Sequence, residues 1–324
     1  MSQLAIVILN WNGQNWLQKF LPDVVKYSPG ADIFVIDNAS TDNSVSFLNE
    51  SFPMVKVVQN EKNFGFAGGY NEGLKNISAD IYCLLNSDVE VTENWLQPVL
   101  DLFNRDAKIA AIQPKILDYN RRSYFEYAGA AGGMIDNLGY PYCRGRKFEN
   151  IETDNGQYND ETQIFWASGC CLFVRSEVFW AANGFDERFF AHQEEIDLCW
   201  RLQNNGHKIF YTGNSTVYHV GGGTLNKQSP QKTFLNMRNN LTMLLKNLPV
   251  AQLLWIIPAR MILDGFAAFY FMINQGPSHF LAVLRAHFSF YAQIPGTLKL
   301  RGEKQISRYF QTKWLIFKHF AGKH

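Results

Sequence analysis

Several common sources of chemistry are missing from this 324-residue sequence. Its five cysteines (Cys83, Cys143, Cys170, Cys171 and Cys199) form no C-x-x-C pair, their number is odd, and two are adjacent. That argues against a disulfide framework or a zinc site and for a reducing compartment. The turn after the first apolar run, Asn10-Trp11-Asn12-Gly13, holds one glycine where a dinucleotide fingerprint needs three. No G-x-x-x-x-G-K-[ST] occurs, and the Gly65, Gly68, Gly69 cluster has neither spacing. Nicotinamide and P-loop chemistry are therefore not expected. No clean run of about 20 apolar residues is present, so a simple spanning helix is not expected either. The first residues, MSQLAIVILNWNG, lack a basic n-region and a cleavage site. They read as a strand, not as a signal peptide. Internal repeats and low-complexity tracts are absent.

Acid is missing from one part of the chain. Residues 227–324 carry 13 Lys/Arg and only two acids, Asp264 and Glu303, whereas residues 1–226 carry 17 Lys/Arg and 27 Asp/Glu. The overall charge of +1 is thus the sum of −10 and +11, which suggests two regions with different tasks. With 47% hydrophobic and 18% charged residues the chain can bury a sizeable core, which excludes disorder. A nucleic-acid binder is disfavoured, because the basic part is apolar and the rest is acidic.

What is present begins with buried-type strands at Leu4–Leu9, Asp32–Ile36, Val55–Val58 and Ile81–Leu85. Between them lie a helix to about Tyr27, a helix capped by Ser40 or Thr41 and running to about Glu50, and a short helix opened by Gly68-Gly69. Alternation of this kind predicts a parallel α/β sheet with helices on both faces, and such sheets bind ligands at the carboxyl ends of their strands. Those ends are Asn10, Asp37, Asn60 and Asn86-Ser87-Asp88. A helix over Glu93–Arg105 and a strand near Ile109–Gln113 follow, then an irregular segment over 119–163 expected to be a long loop or small hairpins. Regularity returns at Phe165–Arg175 and in a helix from about Gln193 to Gly206, with Ile196, Cys199, Trp200 and Gln203 on one face and Asp197–Arg201 as an i,i+4 pair. Residues 1–226 read as a catalytic domain and 227–324 as a basic, apolar helical region. That region either packs on protein, including a second copy in a homodimer, or meets a membrane surface through 241–320, with Lys299, Arg301, Lys304, Arg308, Lys313 and Lys318 facing anionic lipid.

Four groups of residues suggest chemistry. Asp88 ends a strand where one carboxylate, together with phosphate oxygens, can hold a hard cation; it is equally suited to a turn or helix cap. Asp37 stands where a carboxylate can accept hydrogen bonds from a nucleotide. Glu194, Glu195 and Asp197 crowd a helix start, serving either the helix dipole or, for one of the glutamates, general-base work. His219 precedes Gly221-Gly222-Gly223-Thr224, where glycines let backbone approach a phosphate.

Together and in this order, VILNWNG (7–13), VIDNASTDNS (35–44), NFGFAGGYNEG (63–73), LLNSDVE (84–90), ASGCCLFVR (167–175), FFAHQEEIDLCWR (189–201) and VYHVGGGT (217–224) resemble family 2 inverting glycosyltransferases of the GT-A fold, in the rhamnosyltransferase-like branch of bacterial polysaccharide synthesis. The resemblance implies a Rossmann-like mixed sheet flanked by helices. It places Asn10, Asn12, Asp37, Asn63, Gly68, Asn71, Asn86 and Ser87 around the nucleotide-sugar, with Asp37 on the base. Asn86-Ser87-Asp88 stands for the D-x-D motif, so Asp88, joined by His219, would ligate Mg²⁺ or Mn²⁺. The second acid of the helix motif, Glu195, is the implied base, with Glu194 the alternative; Trp166, Ser168 and Gly169 shape the acceptor side. The Q-x-x-R-W pattern of processive synthases is absent, which implies transfer of one sugar. The implied donor is a nucleotide-diphosphate sugar, with dTDP-rhamnose suggested by the branch, and the implied acceptor is a glycan or lipid-linked hydroxyl. The expected location is cytoplasmic, peripheral at the inner face of the membrane. The alternatives are a non-catalytic nucleotide-sugar or glycan binder, and a nucleotidyltransferase, for which no triphosphate loop is seen.

Overall fold

The computed structural model describes residues 3–221 and 229–320. In chain order the elements are β1 (Leu4–Asn10), α1 (Gln14–Tyr27), β2 (Asp32–Asp37), α2 (Ser44–Ser51), β3 (Lys56–Gln59), α3 (Gly65–Leu74), β4 (Ile81–Asn86), β5 (Val89–Val91), α4 (Gln97–Arg105) and β6 (Ile109–Asp118). Then come β7 (Gly133–Ile135), β8 (Pro141–Cys143), β9 (Arg146–Lys147), β10 (Asn150–Ile151), β11 (Glu161–Ile164), β12 (Cys171–Arg175), α5 (Ser176–Ala181), α6 (Glu194–Asn204) and β13 (Lys208–His219). The described C-terminal part is helical: α7 (Pro230–Asn247), α8 (Val250–Asn274), α9 (Pro277–Lys299) and α10 (Leu315–Phe320).

The main sheet runs β11-β13-β6-β12-β4-β1-β2-β3, with β5 on β13. Strands β3, β2, β1 and β4 are parallel, as the alternating pattern requires. The sheet is mixed because β12 enters antiparallel between β4 and β6. Successive side chains of a strand point to opposite faces. Leu4, Ile6 and Ile8 of β1 accordingly join Leu17 and Leu21 of α1 and Val99 and Leu102 of α4 in one core layer. Ala5 and Val7 join Tyr70 of α3 and Trp200 of α6 in the other. Each fully buried Leu- or Ile-sized side chain contributes roughly 1.5–3 kcal/mol.

The elements differ from the sequence reading where long-range partners act. Ser40 and Thr41 do not cap α2, which starts at Ser44, because Asn12 captures them. Helix α3 opens at Gly65, not at Gly68-Gly69. Glycines continue along it because a Cβ at Gly73 would stand 2.4 Å from Ile36 Cδ1. Helix α4 begins at Gln97, after Glu93, and β6 extends to Asp118. Segment 119–163 holds a small antiparallel sheet, β10-β9-β8-β7. Gly222, Gly223, Thr224 and the 226/227 boundary lie outside the described residues.

Helix α7 is tied to the sheet region by buried charge. Lys246 Nζ donates to Asp186 Oδ2 at 2.8 Å and to Asp197 Oδ2 at 2.9 Å. Asn247 donates to Asp197 Oδ1 at 2.8 Å, and Arg201, as its spacing predicts, donates to Asp197 Oδ2 at 2.8 Å. Burial raises the Asp186 pKa, but Arg188 and Lys246 outweigh it and hold the carboxyl far below the usual range.

Candidate active site

The crevice lies where the parallel strands end. Parallel register sets Asn10 beside Asp37 and Leu9 beside Asn86. Both Asn10 and Asp37 are buried. Asn10 Nδ2 donates to Asp37 Oδ1 at 3.1 Å and to Ser40 Oγ at 3.2 Å, while the Ser40 amide donates to Asp37 Oδ2 at 2.9 Å. Asn12 sits in the left-handed region (φ 51°). Its amide donates to Ser40 Oγ at 2.9 Å, and its Oδ1 accepts from the Thr41 amide at 2.7 Å. One atom is left over: Asn10 Oδ1 is buried with no partner in the protein. A Cβ at Gly13 would stand 2.5 Å from it and 3.6 Å from Ser87 Oγ, so the absent side chain keeps a passage open from the Asn10–Asp37 pair to Ser87.

A second asparagine group builds the adjoining wall. Asn38, which sequence reasoning did not single out, donates to Asn63 Oδ1 and to the Gly65 carbonyl, both at 3.0 Å, and accepts from Asn60. The amide of Asn71 donates to the Phe185 carbonyl at 2.8 Å and to Glu187 Oε1 at 3.1 Å, and accepts from the Phe185 amide at 2.9 Å. It therefore pins the loop in front of α6. Gly68 faces Phe64 and Glu187.

Beyond Ser87 lies a cluster of opposite charges. His219 Nε2 is 3.2 Å from Asp88 Oδ1 and 3.5 Å from Asn86 Nδ2. His219 Nδ1 is 3.4 Å from Glu126 Oε1, a buried carboxylate whose other oxygen accepts from the Ala128 amide at 2.6 Å. Burial pushes the Asp88 carboxyl up, but the bond to His219 wins and its pKa lies below the usual value. Burial opposes a protonated His219 ring, yet Cys170, Glu126 and Asp88 around it hold its pKa well above the ordinary imidazole value. With Asp88 on one side of the ring and Glu126 on the other, the pocket attracts positive charge. Its donor set of carboxylate oxygen, amide and imidazole, with a carboxylate behind the ring, fits a divalent cation whose shell phosphates complete. Among the described residues no three His, Cys, Asp or Glu side chains form a metal cage by themselves. Glu126 was missed because it lies in the irregular segment, which carries no periodic signal. It reaches His219 because β6 and β13 pair, with Asp118 beside His219.

The other end of the crevice is the start of α6. Phe190 (φ 63°), His192 (φ 70°) and Gln193 (φ 72°) are three left-handed residues among the four before Glu194, a conformation costing roughly 1–3 kcal/mol each for non-glycine residues. The loop is held from α7. Asn239 Nδ2 donates to the carbonyls of Phe189, Ala191 and His192 at 2.8–3.1 Å. Asn240 Nδ2 bonds Gln193 Oε1 at 3.1 Å, and Arg238 bonds the Arg188 carbonyl at 2.9 Å. Nothing local in the sequence marks these residues. The Oε2 atoms of Glu194 and Glu195, and Nε2 of His192, are buried with no partner in the protein. Burial and the neighbouring Glu195 push the Glu194 pKa well up, and burial pushes Glu195 to about 7. Glu194 is buried and Glu195 half-buried. A Cβ at Gly169 would lie 3.9 Å from Glu195 Cβ, so Gly169 borders this carboxylate. Ser168 is buried, its amide donating to Gln113 Oε1 at 2.8 Å. Trp166 is buried beneath Gly133 and donates to the Met134 carbonyl at 2.9 Å. Gly169 precedes Cys170, whose carbonyl accepts from the Asn86 amide at 2.9 Å, which ties the border of Glu195 to the Asn86-Ser87-Asp88 turn.

Comparison with known proteins identifies the family and the fold. The chain is 25% identical over 237 residues to the N-acetylglucosaminyl-diphospho-decaprenol L-rhamnosyltransferase of Mycobacterium tuberculosis, covering 67% of this chain and 75% of that protein. The fold is shared with S. aureus TarS 1–349 in complex with UDP-GlcNAc (TM-score 0.57, 13% identity, 94% of this chain and 93% of that one). It is shared also with GalNAc-T7 crystallised with UDP, GalNAc and Mn²⁺ (TM-score 0.63, 14% identity, 91% of this chain and 58% of that one). The family model for glycosyl transferase family 2 matches residues 5–182, over half of the sequence. The chain belongs to glycosyl transferase family 2 and is a glycosyltransferase of the GT-A fold.

Proposed function

We propose that this enzyme moves one sugar from a nucleotide-diphosphate sugar to a hydroxyl of a glycan or lipid-linked acceptor, with inversion at the anomeric carbon. The observation that carries the reading is Glu195: a carboxylate with an unpartnered oxygen and a pKa pushed up to about 7, bordering Gly169, whose chain neighbour Cys170 accepts from the Asn86 amide. A base poised near neutrality suits removal of a hydroxyl proton as the bond forms. Glu195 accepts that proton while the acceptor oxygen attacks the anomeric carbon. The carbon–oxygen bond to the diphosphate breaks on the opposite side, so one displacement inverts the configuration without a covalent sugar–enzyme species. Glu194, more buried and with its pKa also pushed up by burial and Glu195, is the alternative base.

At the donor end, Asp37 and the free Oδ1 of Asn10 would meet the nucleotide, with Asn12, Asn63, Gly68 and Ser87 shaping its pocket. Asp88 and His219 Nε2 would hold the cation, and Glu126 would orient the ring. A divalent ion there, Mg²⁺ or Mn²⁺, supplies Lewis-acid stabilisation of the charge left on the diphosphate. The relative's L-rhamnosyl transfer to a decaprenol-linked substrate makes dTDP-rhamnose the first donor to try and a lipid-linked acceptor the first acceptor. The setting is cell-surface polysaccharide synthesis on the cytoplasmic side of the membrane.

The test is a thermal-shift panel of dTDP-, UDP- and GDP-sugars with and without Mn²⁺, followed by NMR of the product's anomeric configuration. One donor should stabilise the protein by about 3 kcal/mol at a hundredfold excess over Kd, only with metal, and yield an inverted product. Metal-dependent shifts with no transfer to any hydroxyl would assign the chain to nucleotide-sugar binding without catalysis.

A further inference from the structure

Helix α8 is built inside out. A helix packed on a protein body normally turns its apolar stripe inward. The row of α8 that faces the body is Ile256, Arg260, Asp264 and Ala268. Two of these four are ionic: Arg260 donates to the Leu138 carbonyl at 3.0 Å and lies 3.6 Å from Asp264, which His287 of α9 approaches at 3.4 Å. The outward row holds Leu254, Ile262, Phe266 and Ile273, 77%, 62%, 69% and 80% exposed. Helix α9 buries Ala282, Val283, Ala286 and Phe290 yet also turns Leu281 and Phe288 outward, 56% and 73% exposed. Contacts of Met261 with Tyr291 and of Phe269 with Phe280 set the helices antiparallel, so the outward rows run side by side.

Charge indicates what covers this face. No charged residue occurs from Gly265 to Leu284. Cations return where α9 ends: Lys299 sits between exposed Leu298 and Leu300, and exposed Lys304, Arg308 and Lys313 follow, with Glu303 the only acid after Asp264. A two-fold dimer would bring this patch against itself and supply no acid beyond Glu303 to answer those cations. Anionic headgroups supply the missing sign. Helix α8 is long and apolar enough to cross a bilayer, but Arg260, near its middle, is fastened to Leu138, so the helix lies along the surface.

We propose that α8 and α9 seat the protein in the headgroup–acyl boundary of an anionic bilayer, with the outward rows in lipid and the cations after α9 on phosphates. The inference rests on this surface and not on the transfer reaction. It has a bearing on that reaction, because Thr297 near the end of α9 accepts from Arg188 Nη1 at 3.1 Å in the loop before Glu194.

The full chain would be sedimented with phosphatidylglycerol/phosphatidylcholine vesicles and with pure phosphatidylcholine vesicles, with light scattering in parallel. Partition to anionic vesicles that weakens as salt rises is expected. The variant I262S/F266S/I273S/F288S should lose at least about tenfold of that partition while keeping its circular dichroism and nucleotide response. K299E/K304E/R308E should lose the preference for anionic lipid. Failure of the wild-type protein to partition overturns the proposal. A wild-type dimer that becomes monomeric in the serine variant, without vesicle binding, overturns it in favour of a second copy. Vesicle binding without any nucleotide response would keep the membrane seat and sink the transfer reading.

Discussion

The two ends of the crevice are finished differently. At the strand ends, Asn10, Asp37, Ser40, Asn12, Asn38 and Asn63 satisfy one another, leaving one orphan, Asn10 Oδ1. At the start of α6, three residues are left-handed and three buried polar atoms have no protein partner. A buried polar atom without a partner costs roughly 1–3 kcal/mol. The strand ends thus define a rigid shape, whereas the α6 end keeps unspent hydrogen-bonding capacity and strain. That difference suits the proposed roles of the strand ends as donor platform and of the α6 end as the reacting end.

The largest effect should come from removing the proposed base. Glu195→Ala should lower the transfer rate by about 10²–10⁴-fold and leave the donor-induced thermal shift nearly intact; near-wild-type initial rates would dissolve the contrast between the two ends. Asp88→Ala should do the reverse, weakening metal-dependent nucleotide binding about a hundredfold, which calorimetry with and without Mn²⁺ checks. Asn239→Ala tests whether the strain matters. With three carbonyls released, kcat should fall about tenfold while the donor KM hardly moves; an equal change in both parameters would make Asn239 merely structural.

The pH dependence sharpens the comparison further. Glu195 must be ionised to act, so kcat/KM should rise with pH through about 7. Stability runs the other way. A carboxyl whose pKa is raised by folding stabilises fully below its unfolded value, and that contribution is lost as pH rises through the folded value. Glu195→Gln should therefore be inactive yet more stable than wild type above neutral pH, on the order of 1 kcal/mol, a few degrees in Tm. An unchanged Tm at pH 8 would show that Glu195 carries no burial penalty.

The strand ends were legible in the sequence because buried apolar runs stop at polar residues, and Asn10, Asp37 and Asn86 do stand side by side. Gln193 as the start of α6 and the Asp197–Arg201 pair were legible for the same local reason. What was not legible is held from far away. Ser40 looked like a helix cap because Asn12, 28 positions earlier, is invisible to a local reading. Glu126 sits in a segment without period, and Asn239 and Asn240 meet the α6 loop from 47 or more positions along the chain. Composition announced the apolar character of α8 but not which side of it faces water.

The buried lysine of α7 bears on how such enzymes can be recombined. Asp197 follows Glu195 by two residues, and its charge is answered by Lys246 and Asn247 as well as by Arg201. Replacing only the C-terminal helices would strip two of those partners and leave Asp186 without Lys246. A chimera that swaps this region must therefore import a lysine–asparagine pair in register, or carry the α6 segment along with its helices. The unit of exchange is the pair of helices α6 and α7, and the seam runs through the sheet region instead of between two modules.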